Sequence, residues 1–194
     1  MHPSAQLALS HLLLVALTSF ALPASAATKD VRATQQAFVD ASVNHILSVV
    51  ASSDVCDSGC RYYGPHVKKE LRLAYRATPT HYFKWQFIEN ARDTKFFTRV
   101  TIKKGKSSTE VTLQTLTRAK DGPLIDELVK NTQLAHNPVF DEATTRYELT
   151  PHGQGTKVSV SMVTRVSGFV GMFTARVKKG MDDAMQALFA NIAR

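Results

Sequence analysis

Apolar and polar residues alternate along much of the chain, and this period of two is typical of β-strands packed on one face. In the clearest case, Val158, Val160 and Val166 fall on the same side of one segment. Turn residues such as Thr78-Pro79-Thr80 separate the alternating segments. We predict strands at Arg32–Val39, Val67–Tyr75, His81–Glu89, Lys95–Lys103, Thr109–Thr117, Thr145–Thr150 and Thr156–Val166.

Three other segments have helical spacing. The first is Ala41–Val50, with Asp40 as the predicted N-cap, and the second is Pro123–Ala135. The third begins near Ser167-Gly168 and continues to the end of the chain. Its apolar stripe consists of Phe169, Phe173, Val177, Met181, Ala184, Leu188 and Ile192. The order β-α-β-β-β-β-α-β-β-α, with four successive hairpin-linked strands, predicts an antiparallel sheet and the α+β class.

The first 26 residues have a different character from the rest of the chain. Leu7–Leu22 is an apolar run without Asp, Glu, Lys or Arg, and the small residues Pro23–Ala26 follow it. We interpret residues 1–26 as a cleaved signal peptide and residues 27–194 as one exported domain, periplasmic or secreted. The alternative is an uncleaved anchor, for which the apolar run is short.

The cysteine content is limited to Cys56 and Cys60, separated by three residues. In an oxidising compartment such an isolated close pair favours a structural disulfide. Two free thiols are the next interpretation, and a metal or redox site is the last. A zinc site would need two more ligands, and His66 is the one histidine close by in the sequence.

The net charge of +8 lies entirely outside the predicted signal peptide. This excess favours peripheral contact with an anionic membrane. The cations proposed for that contact are Lys68, Lys69, Lys103, Lys104, Lys178 and Lys179. The alternative is a solvated basic surface. The sequence contains no recognised nucleic-acid-binding motif, so we predict no nucleic-acid partner.

Three short segments carry a resemblance to a known superfamily. They are Ala37–Val43, where a strand passes into the first helix, Tyr147–Val158, and Val166–Phe169 before the last helix with its Lys179-Gly180-Met181. From about Val31 to Ile192 the chain resembles the START-like helix-grip superfamily (SRPBCC), which includes polyketide cyclases/dehydrases and lipid-transport domains. The resemblance implies a helix-grip fold, in which a curved antiparallel sheet wraps around the long C-terminal helix, with a hydrophobic cavity between them.

Apolar and aromatic side chains of the predicted strands and last helix would line this cavity. The predicted ligand-binding residues are Leu73, Tyr75, Phe83, Trp85, Phe87, Phe96, Val100, Tyr147, Val160, Met162, Phe173, Val177 and Met181. For any single one of them, a closed core is the competing interpretation. Arg99, Arg146 and Arg176 are candidates for meeting an anionic ligand group, or else rim residues in water. The helix Pro123–Ala135 is either a lid or a fixed surface element.

Motifs for catalysis are missing from the sequence. It has no Gly-x-Ser-x-Gly elbow, phosphate-binding glycine loop or His-Glu-x-x-His pair. We therefore predict no catalytic or metal-binding residue and no cofactor. The leading hypothesis is a non-enzymatic exported carrier of a hydrophobic small molecule or lipid. A cavity enzyme of the polyketide cyclase/aromatase type and a filled-core interaction module remain open as alternatives.

Overall fold

A computed structural model describes residues 28–51, 67–89, 93–168 and 170–192. All seven predicted strands and all three predicted helices are present in these ranges. The elements are β1 (Lys29–Val39), α1 (Val43–Val50), β2 (Val67–Leu73), β3 (His81–Ile88), β4 (Thr94–Lys104), β5 (Thr109–Thr115), α2 (Arg118–Thr132), β6 (Glu142–His152), β7 (Gly155–Val166) and α3 (Thr174–Ile192). A 3-10 turn, Val170–Phe173, precedes α3.

The strands form one curved antiparallel sheet in the order β1-β7-β6-β5-β4-β3-β2. Each strand from β2 to β6 pairs with the next strand along the chain, and β7 also pairs with β1. The first and last strands are therefore adjacent, and β1 and β2 form the two edges. This arrangement confirms the α+β class and the antiparallel sheet expected from the hairpin-linked strands.

The helices α1 and α3 cover one face of the sheet, which we call the inner face. Val158 and Val160 of β7 and Tyr147 of β6 are buried on this face. The buried side chains of α3 that pack against the sheet are Met181, Met185, Leu188 and Ile192. A sheet that holds a long C-terminal helix in this way is the predicted helix-grip fold.

The helix α2 packs on the opposite face, which we call the outer face. Its buried Ile125 and Leu128 contact Phe83, Trp85 and other apolar side chains of β2, β3 and β4. The segment that follows α2 is also attached there, since Trp85 Nε1 donates a hydrogen bond to the carbonyl of Ala135 at 2.8 Å. Two roles were predicted for this helix. In the structure it is a fixed element on the outer face, and it does not form a lid over the inner face.

The helix termini differ from the predictions. Ser42, and not Asp40, is the N-cap of α1, because its hydroxyl accepts the N–H of His45 at 3.2 Å. The 3-10 turn delays α3 to Thr174, and Gly168 before it has a left-handed φ of 56°. The helix α2 begins at Arg118, five residues before Pro123, with a kink at Asp121.

Some predictions concern residues outside the described ranges. These are the signal peptide at residues 1–26, the Cys56/Cys60 disulfide, the ligand role considered for His66, and the position of Phe169 on the last helix. They stay predictions. Among the helices that the structure describes, none combines the length and the apolar character needed to cross a bilayer.

Candidate functional site

Strand β3 is buried on both faces, and this property locates the candidate site. Tyr82, Phe83, Lys84 and Trp85 are each at most 5% exposed. Because successive side chains of a strand point to opposite faces, Tyr82 and Lys84 lie on one face and Phe83 and Trp85 on the other. Tyr82 belongs to the inner core and Trp85 to the cluster under α2, so Lys84 lies on the inner face.

A buried ion pair occupies the inner face where β2 and β3 meet. Lys84 Nζ donates to Glu70 Oε1 at 2.6 Å, and their side chains are 0% and 2% exposed. Gln86 Nε2 donates to the second carboxylate oxygen, Glu70 Oε2, at 2.8 Å. The hydroxyl of Thr98, in β4, donates to Gln86 Oε1 at 3.4 Å. We call Glu70, Lys84, Gln86 and Thr98 the inner polar cluster.

This cluster is unusual because burying two charges removes both from water, and their attraction repays that desolvation only in part. Apolar side chains of the same volume are often as good for stability or better. Elsewhere on the inner face the sheet follows that rule, with Val111, Leu149 and Val158 all fully buried. The inner face is therefore mainly apolar along β4–β7 and β1, and it has a polar end along β2 and β3, which Thr98 of β4 joins.

Two buried tyrosines lie near this polar end. Tyr82 donates from its hydroxyl to the carbonyl of Ala51, at the end of α1, at 2.5 Å, and the guanidinium of Arg72 lies 4.0 Å from its ring centroid. Burial raises the pKa of Tyr82 to about 12. Burial, together with the charge of Glu70, also raises the pKa of Tyr147. Both phenols are therefore protonated at neutral pH, where they are hydrogen-bond donors.

The structure divides the thirteen predicted ligand-binding residues between the two faces. Those of the inner core are Val100, Tyr147, Val160, Met162, Val177 and Met181. Phe96 also lies on the inner face, where its ring meets Phe140 edge-on at 5.2 Å. Those in the outer cluster under α2 are Leu73, Tyr75, Phe83, Trp85 and Phe87. Phe173 is 41% exposed in the 3-10 turn.

The expectation that the aromatic residues share one interior is therefore wrong. Both faces of β3 carry large apolar side chains, so the longer aromatic stripe, Phe83-Trp85-Phe87, packs against α2 instead of α3. The arginines considered as anion contacts are not on the inner face either. Arg99 and Arg146 form ion pairs with Asp121 and Glu110 on the outer face, and Arg176 is exposed. Ligand binding by the inner-face residues stays a prediction.

The sequence interpretation misses Glu70 and Lys84. Alternation along β2 puts Glu70 among the polar, outward positions, and no motif singles out Lys84. The available signal is the composition of β3, in which Tyr82 and Ile88 share a face with Lys84 while Phe83, Trp85 and Phe87 form the other. A strand with large apolar groups on both faces is buried on both, so any charge within it is buried too.

The described histidines form local contacts. His45 Nε2 lies 3.1 Å from the carbonyl of Ile192, and the ring of His152 meets that of Phe38 edge-on. His136 Nδ1 accepts the N–H of Phe97 at 3.1 Å, and its ring stacks on that residue. Within the described ranges, no group of three His, Cys, Asp or Glu residues is arranged to hold a metal.

Two surface pockets lie on the outer face, away from the inner polar cluster. One, of about 240 Å³, surrounds the ion pairs of Arg165 with Asp30 and Glu142. Hydrogen bonding to Arg165 lowers the pKa of Asp30, and hydrogen bonding to Lys120 lowers that of Glu142. The other, of about 300 Å³, is lined by Phe38, His152, Lys157 and their neighbours. The first pocket is a structural ion network, because its charges are already paired.

Comparison with known proteins supports the fold. No protein-family model matches the chain. No curated protein matches it either. Among solved structures, the STAR-related lipid transfer protein fragment from Xanthomonas axonopodis is similar with a TM-score of 0.63 and 14% identity, over 84% of this chain and 86% of that one.

Two other solved structures have the same fold. The Zhui aromatase/cyclase from Streptomyces sp. R1128 has a TM-score of 0.54 and 12% identity, over 87% of this chain and 95% of that one. Human STARD10 has a TM-score of 0.55 and 11% identity, over 89% of this chain and 66% of that one. At such identities the likeness concerns the fold, and it agrees with the element order and the sheet topology. The chain has a START-like helix-grip fold.

Proposed function

We propose that this protein is an exported, non-enzymatic carrier of a hydrophobic small molecule or lipid, held between the inner face and α3. The single observation that carries the proposal is the fully buried Glu70–Lys84 pair. It stands at one end of a mainly apolar inner face, so an amphipathic molecule would place its polar group there and its apolar body along β5–β7. The names of two similar structures, a STAR-related lipid transfer protein and an aromatase/cyclase, agree with such a ligand.

The charge of the cluster narrows the ligand class. Glu70 and Lys84 neutralise each other. The Arg72 guanidinium of the same face is directed to the Tyr82 ring and the Thr78 carbonyl. A carboxylate or phosphate held in the cluster would therefore bring an uncompensated charge into the interior. A hydroxyl or carbonyl group instead exchanges hydrogen bonds with the carboxylate, the ammonium and the Gln86 amide. We therefore expect a neutral polar end. Met181 and Met185 on α3 provide the adjustable apolar wall, since unbranched thioether side chains adapt to irregular shapes.

The test is ligand uptake by delipidated protein, followed by native mass spectrometry against fatty acids, sterols, phospholipids and polyketides. Glu70→Gln/Lys84→Met is expected to lower affinity for the bound compound about 10- to 100-fold, because hydrogen bonds to charged groups contribute roughly 1.5–3 kcal/mol. The matched control is Arg99→Met/Asp121→Asn, which removes an ion pair of 2.8 Å from the outer face and should leave affinity unchanged. Uptake of no compound, or equal losses in both variants, would refute the proposal.

A cyclase or aromatase activity is the second candidate. The observation that favours it is the group of proton donors and acceptors on one face, namely Glu70, Lys84 and the two phenols of Tyr82 and Tyr147. Such groups can hold and polarise a polyketide carbonyl. Turnover of a bound polyketide, lost in Glu70→Gln/Lys84→Met while binding persists, would favour the enzyme over the carrier.

A further inference from the structure

The end of the sheet that carries the β4–β5 and β6–β7 hairpins has a concentration of free positive charge. Lys103, Lys104 and Lys106 belong to the first hairpin, and Lys157 follows the second. All four are exposed, and none forms an ion pair with another described residue. The hairpin segments 103–108 and 152–157 contain no Asp or Glu. We call this region, together with Phe38, the hairpin end.

An exposed aromatic ring lies on the same end. Phe38 is 58% exposed and stands directly opposite Lys157 in the β1–β7 pair. Its ring meets His152 edge-on at 5.6 Å and lies against Gly155, where an added Cβ would come within 2.7 Å of it. The ring is therefore held in place by its neighbours while most of its surface faces water. Three strands lie between the strands of Phe38 and Lys104, so the two are four strand spacings apart, or about 19 Å.

A second exposed apolar patch, at the opposite end of the sheet, provides a comparison. Met172 is 66% exposed and Phe173 is 41% exposed, and Arg176 lies next to them. The neighbouring lysines are neutralised within the helix, since Lys178 and Lys179 pair with Asp182 and Asp183 at 2.7 and 2.6 Å. This patch has exposed apolar surface with little free charge, whereas the hairpin end has both.

We infer that the hairpin end is the surface on which this protein docks to an anionic lipid bilayer. Lysines near such a surface are attracted to its phosphates, and an aromatic side chain at the interface adds apolar burial. The lysines extend from β4 to β7, three strand spacings or about 14 Å, and with Phe38 the surface extends over about 19 Å, which spans several headgroups. The pocket lined by Phe38, His152 and Lys157 adds room for one headgroup beside the inserted ring. Of the six lysines suggested from the sequence, this surface includes Lys103 and Lys104. It adds Lys106 and Lys157, and it leaves out Lys68, Lys69, Lys178 and Lys179.

The experiment is cosedimentation of the folded chain with vesicles of phosphatidylcholine, with and without phosphatidylglycerol. Lys103→Gln/Lys104→Gln/Lys106→Gln is expected to lower the partition coefficient on the anionic vesicles roughly 100-fold, since each lysine contributes about fivefold. The matched control, Arg176→Gln/Lys178→Gln/Lys179→Gln, removes an equal number of positive charges, three, from the opposite end. It should change the partition coefficient less than about twofold. High salt should release the wild type.

A second pair of variants tests the aromatic ring. Phe38→Ala is expected to weaken vesicle binding about fivefold to tenfold, and Met172→Ala is expected to leave it unchanged. Circular dichroism checks that each variant is folded. No binding of the wild type to anionic vesicles, equal losses at the two ends, or binding that survives high salt would overturn the inference. Equal losses would indicate attraction to any polyanion. No ligand enters this assay, so its failure is separate from failure of the proposed ligand site.

Discussion

The inner and outer faces of β3 are buried to the same degree but differ in chemistry. On the outer face, Phe83 and Trp85 pack against α2 in a mainly apolar cluster whose described residues form no buried ion pair. On the inner face, Lys84 forms its ion pair with Glu70, and both charged side chains are buried. The comparison teaches that the most hydrophobic side of this strand is the one covered by a helix in a closed core. The face with the costly buried charge is the better candidate for function.

The largest expected effect comes from leaving one inner charge without its partner. Lys84→Met should destabilise the fold by about 3–5 kcal/mol, because Glu70 would remain buried and uncompensated. The double variant Glu70→Gln/Lys84→Met should recover most of that loss, since neither charge then remains. Urea denaturation of both variants measures the difference. If Lys84→Met were as stable as the wild type, the buried Glu70 carboxylate would not depend on Lys84 for its stabilisation, and the prediction would be wrong.

The next effect is a pH dependence that belongs to the outer face. Burial lowers the pKa of His136 to about 4, and the charge of Arg118 acts in the same direction. A neutral His136 therefore favours folding above pH 6.5, and this contribution, roughly 3 kcal/mol, is lost as the pH falls from 6.5 through 4. His136→Asn keeps an acceptor for the Phe97 N–H but does not titrate.

Chemical denaturation of the wild type and His136→Asn at several values between pH 7 and pH 4 isolates that contribution. The stability difference between the two proteins should shift by about 3 kcal/mol in favour of the variant as the pH falls. Parallel pH profiles of stability would contradict the prediction, because they would show that protonation of His136 does not change the free energy of unfolding. Ligand affinity at pH 7 should be the same in both proteins, because His136 lies on the outer face.

The smallest effect is expected from the outer ion pair. Arg99 and Asp121 are 2.8 Å apart, with side chains 29% and 14% exposed, so water screens their attraction. Arg99→Met should cost less than about 1 kcal/mol in thermal or urea unfolding. A loss as large as that from Lys84→Met would remove the contrast between the two faces.

The element order could be predicted because each strand and helix repeats its own period many times. Alternation along Thr156–Val166 is enough to define β7, and the buried Met181, Leu188 and Ile192 follow the predicted stripe of α3. The helix starts were less predictable because they depend on single contacts. Ser42 caps α1 through one hydrogen bond, and Asp40, two residues away, is an equally good capping residue by type.

The candidate site was harder to predict. The alternation of apolar and polar residues shows which side chains of a strand share a face, but it does not show which helix covers that face. The pattern correctly groups Phe83, Trp85 and Phe87 on one face, but the helix that covers them is α2 and not α3. Glu70 and Lys84 are fourteen positions apart in sequence and meet only through the β2–β3 register, Arg72 opposite Lys84 and Glu70 opposite Gln86. Their burial depends on the whole sheet.

The double coverage of β3 also determines how its backbone exchanges hydrogen with water. The strand is paired at both edges and covered on both faces, so the amides of Phe83, Lys84 and Trp85 should exchange only when the entire domain opens. A ligand that binds only the folded chain would slow this exchange by the factor 1 + L/Kd, where L is the free ligand concentration. The exchange rate of the β3 amides therefore reports ligand binding, and it can be measured before the ligand has been identified.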